Sequence, residues 1–191
     1  EATFDIQFGN LKRKVHTNTS WDWARFESCA QKWMDLSEGH YGVSLLNDCK
    51  YGHSVKDGVI GLTLIKSGTV PNPVTDQEEH VFTYALYPHA EGWQQAGTVQ
   101  EAYRLNQPAI SVCGGKAGES YSLLSVNKPN IIVETVKQAE DGDGWIVRMY
   151  ESENARTPAV LTWNRPIASI EECNCVEEKL ADASAENGRI P

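Results

Sequence analysis

Residues Asn18–Gly52 read NTSWDWARFESCAQKWMDLSEGHYGVSLLNDCKYG. Trp21, Trp23 and Trp33 crowd one short window. The apolar run Gly42–Leu46 then ends in a polar loop closed by glycine, Asn47-Asp48-Cys49-Lys50-Tyr51-Gly52. A short apolar run bounded by turn residues is the pattern of a buried strand. Its end delivers an amide, a carboxylate, an amine and a phenol to one edge of the fold, which is how a binding rim is commonly built.

Working outward, most of the chain reads as strands. Arg25–Trp33 alternates loosely, and Val59–Ile65 and His80–Tyr87 read as two more strands, the second rich in aromatic and β-branched residues. Between the last two lies a long surface loop, Ser67–Glu79. Trp93, Ala96, Val99, Ala102 and Tyr103 recur at helical spacing and Pro108 follows, which predicts one helix near 91–105. Ile131–Lys137 and Trp145–Glu151 flank Asp141-Gly142-Asp143-Gly144, a hairpin signal because glycine accepts the positive φ of tight turns. Leu161–Trp163 and Ile167–Glu171 are shorter strand candidates. The expectation is a mainly β protein, a two-sheet β-sandwich over 1–180, with a polar, disordered tail over 181–191.

The 191 residues suit one large domain or two small ones. Seventeen basic against 26 acidic residues leave a net charge of −9. Phosphate contacts need a clustered basic face, so no nucleic-acid partner is expected. No apolar run approaches the roughly 20 residues that span a bilayer, so no membrane partner is expected either. Five irregularly spaced cysteines argue against a disulfide framework and for reduced thiols in the cytoplasm. The chain opens at Glu1 directly into the strand-like run Phe4–Phe8, which reads as a piece cut from a longer protein.

Five blocks, in order, carry a resemblance: NTSWDWARFE (Asn18–Glu27), KWMDLSE (Lys32–Glu38), YGVSLLNDCKYG (Tyr41–Gly52), FTYALYPH (Phe82–His89) and ETVKQAEDGDGWIVRMYE (Glu134–Glu151). The chain resembles the C-terminal β-domain of glycoside hydrolase family 38 α-mannosidases, in the cytosolic-type branch. The resemblance implies part of a galactose-mutarotase-like super-sandwich. It also implies a retaining α-mannosidase whose zinc and nucleophilic aspartate sit on a separate N-terminal domain. Two flanking carboxyl groups are what retaining chemistry needs, and the family's catalytic motifs are not in this chain. No cofactor is therefore expected here. The implied partners are the intramolecular catalytic domain and, through the parent enzyme, an α-mannoside. Gln31 stands where the family usually has histidine. Near Lys66 the family often carries arginine, and lysine there keeps the charge but loses the planar fork. Strands expected at both ends are missing, and unpaired edges are a route to homo-oligomers.

On this reading the rim candidates are Asn47, Asp48, Lys50, Tyr51 and Lys66. The competing reading of Asn47–Gly52 is a tight turn capped by its own Asn and Asp side chains. Trp21, Trp23 and Trp93 read as core rather than sugar-stacking residues. Asp141–Gly144 lacks the oxygen ligands of a calcium loop, and Cys173-Asn174-Cys175 lacks the second ligand pair of a zinc site. The histidines, His80 and His89 among them, read as surface or packing residues. The alternatives to a supporting domain are an independent carbohydrate-binding module and a structural interaction domain.

Overall fold

The computed structural model describes residues 1–191 except 116, 117 and 119, and divides into two compact units, 1–111 and 112–191. The fold is mainly β. The first unit runs β1 (Ala2–Ile6), β2 (Gly9–Arg13), α1 (Ser20–Ala24), β3 (Ser28–Cys29), β4 (Trp33–Ser37), β5 (Tyr41–Asn47), β6 (Gly52–Lys56), β7 (Val59–Thr63), β8 (Tyr84–Ala90), α2 (Trp93–Ala96) and α3 (Thr98–Asn106). Five antiparallel strands form one sheet in the order β2-β1-β4-β5-β8, and β3-β6-β7 form a second.

The register explains the layering. Phe4 lies opposite Met34, and Met34 opposite Leu45. With a side-chain period of two, these residues share one face. Ala2, Phe4, Ala30, Met34 and Leu45 form the buried core, and Val55, Ile60 and Leu62 of the second sheet pack on it. This is the predicted two-sheet packing. On the other face of β4 the alternating partners are Trp33, Asp35 and Ser37. The Trp33 ring meets the Trp93 ring at 4.8 Å, and the Tyr87 hydroxyl donates to the Ala96 carbonyl at 2.9 Å. The two short helices thus cover that face.

The helical prediction holds in place but not in continuity. Gly97 takes φ +69°, ends α2 and starts α3, a conformation glycine adopts without steric cost. A further helix, α1, precedes the strand expected over Arg25–Trp33, and of that stretch Ser28–Cys29 and Trp33 are in strands. Its Thr19 cap accepts from the Asp22 N–H, and Asp22 accepts in return from the Thr19 N–H, a reciprocal capping box. Trp21 and Trp23 on this helix are 78% and 72% exposed, which corrects their reading as core; Trp33 and Trp93 are the buried pair. The strand expected from His80 begins at Tyr84, because the Thr83 N–H is taken by the Asp48 carboxylate instead of a neighbouring strand.

The second unit runs β9 (Leu124–Val126), β10 (Ile131–Gln138), β11 (Trp145–Glu151), β12 (Leu161–Trp163), β13 (Ile170–Cys173), β14 (Lys179–Ala183) and β15 (Arg189–Ile190). β10 and β11 form the predicted hairpin across Asp141–Gly144, with Gly142 at φ +81° and Gly144 at φ +108°. The Asp143 N–H donates to Asp141 Oδ1 at 2.9 Å, a turn-stabilising role for that carboxylate. Glu177, in the β13–β14 turn, accepts from Lys137 and Arg148 of the hairpin. The stretch after residue 181, expected to be disordered, is paired: β14 with β13, and β15 with β12.

Candidate functional site

The polar loop that follows β5 is built by long-range hydrogen bonds. Asn47 is fully buried. Its amide donates to the Gln31 carbonyl at 2.9 Å and its Oδ1 accepts the Lys50 N–H at 2.6 Å. Asn106 at the end of α3 donates to the Asn47 carbonyl at 3.0 Å. Both Asp48 carboxylate oxygens accept the Thr83 N–H, at 2.9 and 3.0 Å. That backbone donor holds the Asp48 carboxyl below its ordinary range, and Asp48 in turn pushes the neighbouring Cys49 thiol up. Lys50 Nζ lies 4.9 Å from the centre of the Phe82 ring, within cation–π range. Tyr51 is exposed, and its carbonyl accepts the Ala30 N–H. The capped-turn reading therefore describes Asn47 and Asp48, while Lys50 and Tyr51 present their side chains at the surface of the loop.

Lys66 belongs to the same edge. Its ammonium donates to Glu27 Oε2 at 3.2 Å, and the Thr63 hydroxyl donates to Glu27 Oε1. These two donors, Thr63 first, hold the Glu27 carboxyl below its ordinary range. Glu27 also lies against Gly52, the residue that closes the loop: a Cβ there would collide with the Glu27 carboxylate. Pairing of β3 with β6 sets Cys29 opposite Gly52 and so brings Glu27 to that point. Phe26, Glu27, Ser54, Thr63 and Lys66 line one shallow depression. The structure thus joins Lys66 to the glycine end of the loop through Glu27, a residue that sequence reasoning did not single out.

His53, the residue after Gly52, is fully buried; its Nδ1 lies 3.2 Å from the Tyr51 carbonyl, and its Nε2 has no partner among the described residues. Burial pushes its pKa below the ordinary histidine value. A second group unseen in the sequence lies beneath the helices. Asp35 Oδ2 accepts from Ser44 Oγ at 2.8 Å and lies 2.8 Å from His89 Nε2. Ser44 Oγ also lies 2.8 Å from Thr98 Oγ1. All four residues are buried. Ser44 and Asp35 meet the same imidazole nitrogen, so no base is aimed at a nucleophile as acyl-transfer triads require. The group ties β4, β5, β8 and α3 together.

Among the described residues, no group of three or more His, Cys, Asp or Glu side chains is placed to hold a metal ion. The zinc that the resemblance implies has no ligand set among them, and Cys173 and Cys175 do not form one. No helix among the described residues is long and apolar enough to cross a membrane.

A mainly β chain with a polar loop edge and helices on one sheet face defines a β-sandwich class. Comparison with known proteins specifies it. The family described as "Glycosyl hydrolases family 38 C-terminal domain" matches residues 1–74, and "Glycosyl hydrolases family 38 C-terminal beta sandwich domain" matches residues 130–191. The chain belongs to the C-terminal region of glycosyl hydrolase family 38. It is 43% identical over 182 residues to alpha-mannosidase 2C1 of Homo sapiens, covering 93% of this chain and 18% of that protein. It is 44% identical over 186 residues to alpha-mannosidase G of Dictyostelium discoideum, covering 93% of this chain and 17% of that one. The crystal structure of an alpha-mannosidase from Enterococcus faecalis V583 superposes with a TM-score of 0.74 at 22% identity, over 99% of this chain and 23% of that chain. That likeness concerns the fold. The chain spans about a fifth of the length of the relatives it matches.

Proposed function

We propose that this chain is the non-catalytic C-terminal domain of a retaining, zinc-dependent α-mannosidase of the cytoplasm. The observation that carries the reading is the pair of family matches, one at each end of the chain, together with the identity to proteins named α-mannosidases. On this reading the nucleophile, the acid/base carboxyl and the zinc ligands are supplied by sequence outside this chain. Retaining hydrolysis needs two carboxyl groups about 5 Å apart across the scissile bond. The domain supports the catalytic part through its sheet edges and helices. Its Lys50, Tyr51 and Lys66 side chains join the active-site rim, while Asn47 and Asp48 hold the loop that carries the first two. The domain's partners are then the catalytic domain of the same protein and the α-mannoside.

The test compares two proteins: the 191-residue chain alone, and the chain joined to its upstream sequence. Both are supplied with zinc and assayed on α-mannosides. Hydrolysis is expected only from the longer protein, and it is expected to disappear on chelation. Turnover by the chain alone, or none by the longer protein, overturns the proposal. A second reading, an independent carbohydrate-binding module, draws on the exposure of Trp21 and Trp23. It predicts saccharide binding by the chain that survives when the longer protein proves inactive.

A further inference from the structure

We propose that Phe26 and Glu27 extend the rim into a saccharide subsite, in the depression they share with Ser54, Thr63 and Lys66. This rests on the α-mannosidase reading for the choice of sugar. The depression measures about 290 Å³, at the small end of ligand sites and suited to one small ring rather than a chain. Phe26 is 76% exposed. It lies on the irregular stretch between α1 and β3, outside the core. An exposed aromatic beside a polar cluster is the pairing a pyranose needs, because the ring offers an apolar C–H face and a rim of hydroxyls.

The polar half of the depression is joined by its own hydrogen bonds, centred on Glu27. The Glu27 carboxylate accepts from Thr63 and from Lys66, and Gly52 leaves the space it occupies. Ser54 Oγ similarly fills the place of a Cβ on Gly61. Glu27 is an acceptor only, Lys66 a donor only, and the two are held 3.2 Å apart. Adjacent hydroxyls, each able to donate and accept, can satisfy both. The pairing also selects by charge. Lys66 is already balanced by Glu27, so the site offers no free cation to a phosphate or carboxylate, and the chain's net charge of −9 disfavours anions further. A neutral polyol is the ligand class that remains.

The test uses Phe26→Ala, Glu27→Gln and, as a control in the second unit, Lys137→Met. Mannose and an α-linked mannobiose are titrated into the chain and followed by amide chemical shifts. In parallel, KM and kcat for α-mannoside hydrolysis are measured on the longer protein. Saturable binding with shifts at residues 26–27, 54 and 63–66 is expected, weakened about tenfold by F26A and by E27Q and unchanged by K137M. In the longer protein KM rises by a similar factor while kcat holds. Because Phe26 is outside the core, F26A is expected to keep the parent melting temperature, so a loss of binding is not a loss of fold. If neither binding by the chain nor KM of the longer protein responds to F26A and E27Q, the subsite is wrong even where α-mannosides are hydrolysed. If the chain binds the saccharides through these residues but the longer protein hydrolyses nothing, the subsite stands and the α-mannosidase reading falls.

Discussion

Replacing Asp5 by asparagine should stabilise the protein at neutral pH and leave it nearly unchanged in acid. Asp5 is 3% exposed on the central sheet, and one carboxylate oxygen accepts the Lys32 N–H at 2.8 Å. Burial raises its pKa from 3.8 to about 6, against the lowering pull of that N–H and of the Lys32 ammonium. In the unfolded chain the group titrates at its ordinary value. Between those two pKa values the folded state keeps a proton that the unfolded state has released. Stability contributed by the protonated form is therefore complete below about pH 4 and is lost as pH rises through about 6. A shift of about 2 units corresponds to about 3 kcal/mol. Asparagine has no such titration, and its Oδ1 can still accept the Lys32 N–H. Urea unfolding of wild type and D5N, followed by tryptophan fluorescence at several pH values between about 4 and 7.5, measures the difference between the two proteins. That difference removes what they share, including His53 and the carboxylates of Glu27, Asp48, Glu151 and Glu177, whose lowered pKa values make stability rise with pH. D5N should gain on wild type by about 3 kcal/mol across the window. A flat difference, or a D5N protein less stable than wild type at pH 7.5, would refute the reasoning.

Three further outcomes follow from buried polar groups. Asn47→Ala removes the partners of the Gln31 carbonyl and the Lys50 N–H and should cost about 2–3 kcal/mol in urea unfolding; a loss under about 0.5 kcal/mol would mean that the loop does not depend on this cap. Gly42→Ala drives a Cβ into the His89 ring and the Ser37 hydroxyl. His89 is held by Asp35 and Ser44 and cannot swing away, so calorimetry should show a loss of about 1–3 kcal/mol. His53→Leu removes a buried imidazole whose pKa lies below the ordinary value. Such a group contributes stability that is present above its unfolded pKa and is lost as pH falls through the folded one. The variant should therefore melt with less acid sensitivity below about pH 6.5 than wild type.

The elements that the sequence disclosed are those whose determinants are local. The apolar run ending at Asn47, the Asp-Gly hairpin between β10 and β11, and Leu161–Trp163 each carry their own boundaries. The Thr19…Asp22 capping box was equally local, but Trp21 and Trp23, within and just after it, suggested core residues. In the structure their indoles are exposed on a five-residue helix. Asp57-Gly58 is a local signal that the reading of the sequence passed over. It joins β6 to β7 as a two-residue turn with φ of +51° and +77°, the pattern of a type I′ hairpin. Gly97 breaks the helix without disturbing its apolar stripe, since Trp93, Val99 and Ala102 stay buried on both sides of it.

What escaped the sequence depends on pairs far apart in the chain. His89 stands among aromatic residues and gives no sign that a buried carboxylate waits 54 residues earlier at Asp35. Glu27 makes the same point for function. Within its own segment it is one acidic residue after an aromatic, indistinguishable from a solvated side chain. Its meaning comes from three other places: Gly52, which has no side chain to obstruct it, Thr63, which donates to it, and Lys66, which neutralises it. Antiparallel pairing of β3 with β6 and of β6 with β7 brings these together, so the cluster exists only once strand register is set. That order of causes also says where substitutions act. Gly52→Ala adds one methyl group to the loop, yet the atom nearest the new Cβ belongs to Glu27, at the end of a flexible side chain. The change should displace that carboxylate from Thr63 and Lys66 while the strands around it stay paired.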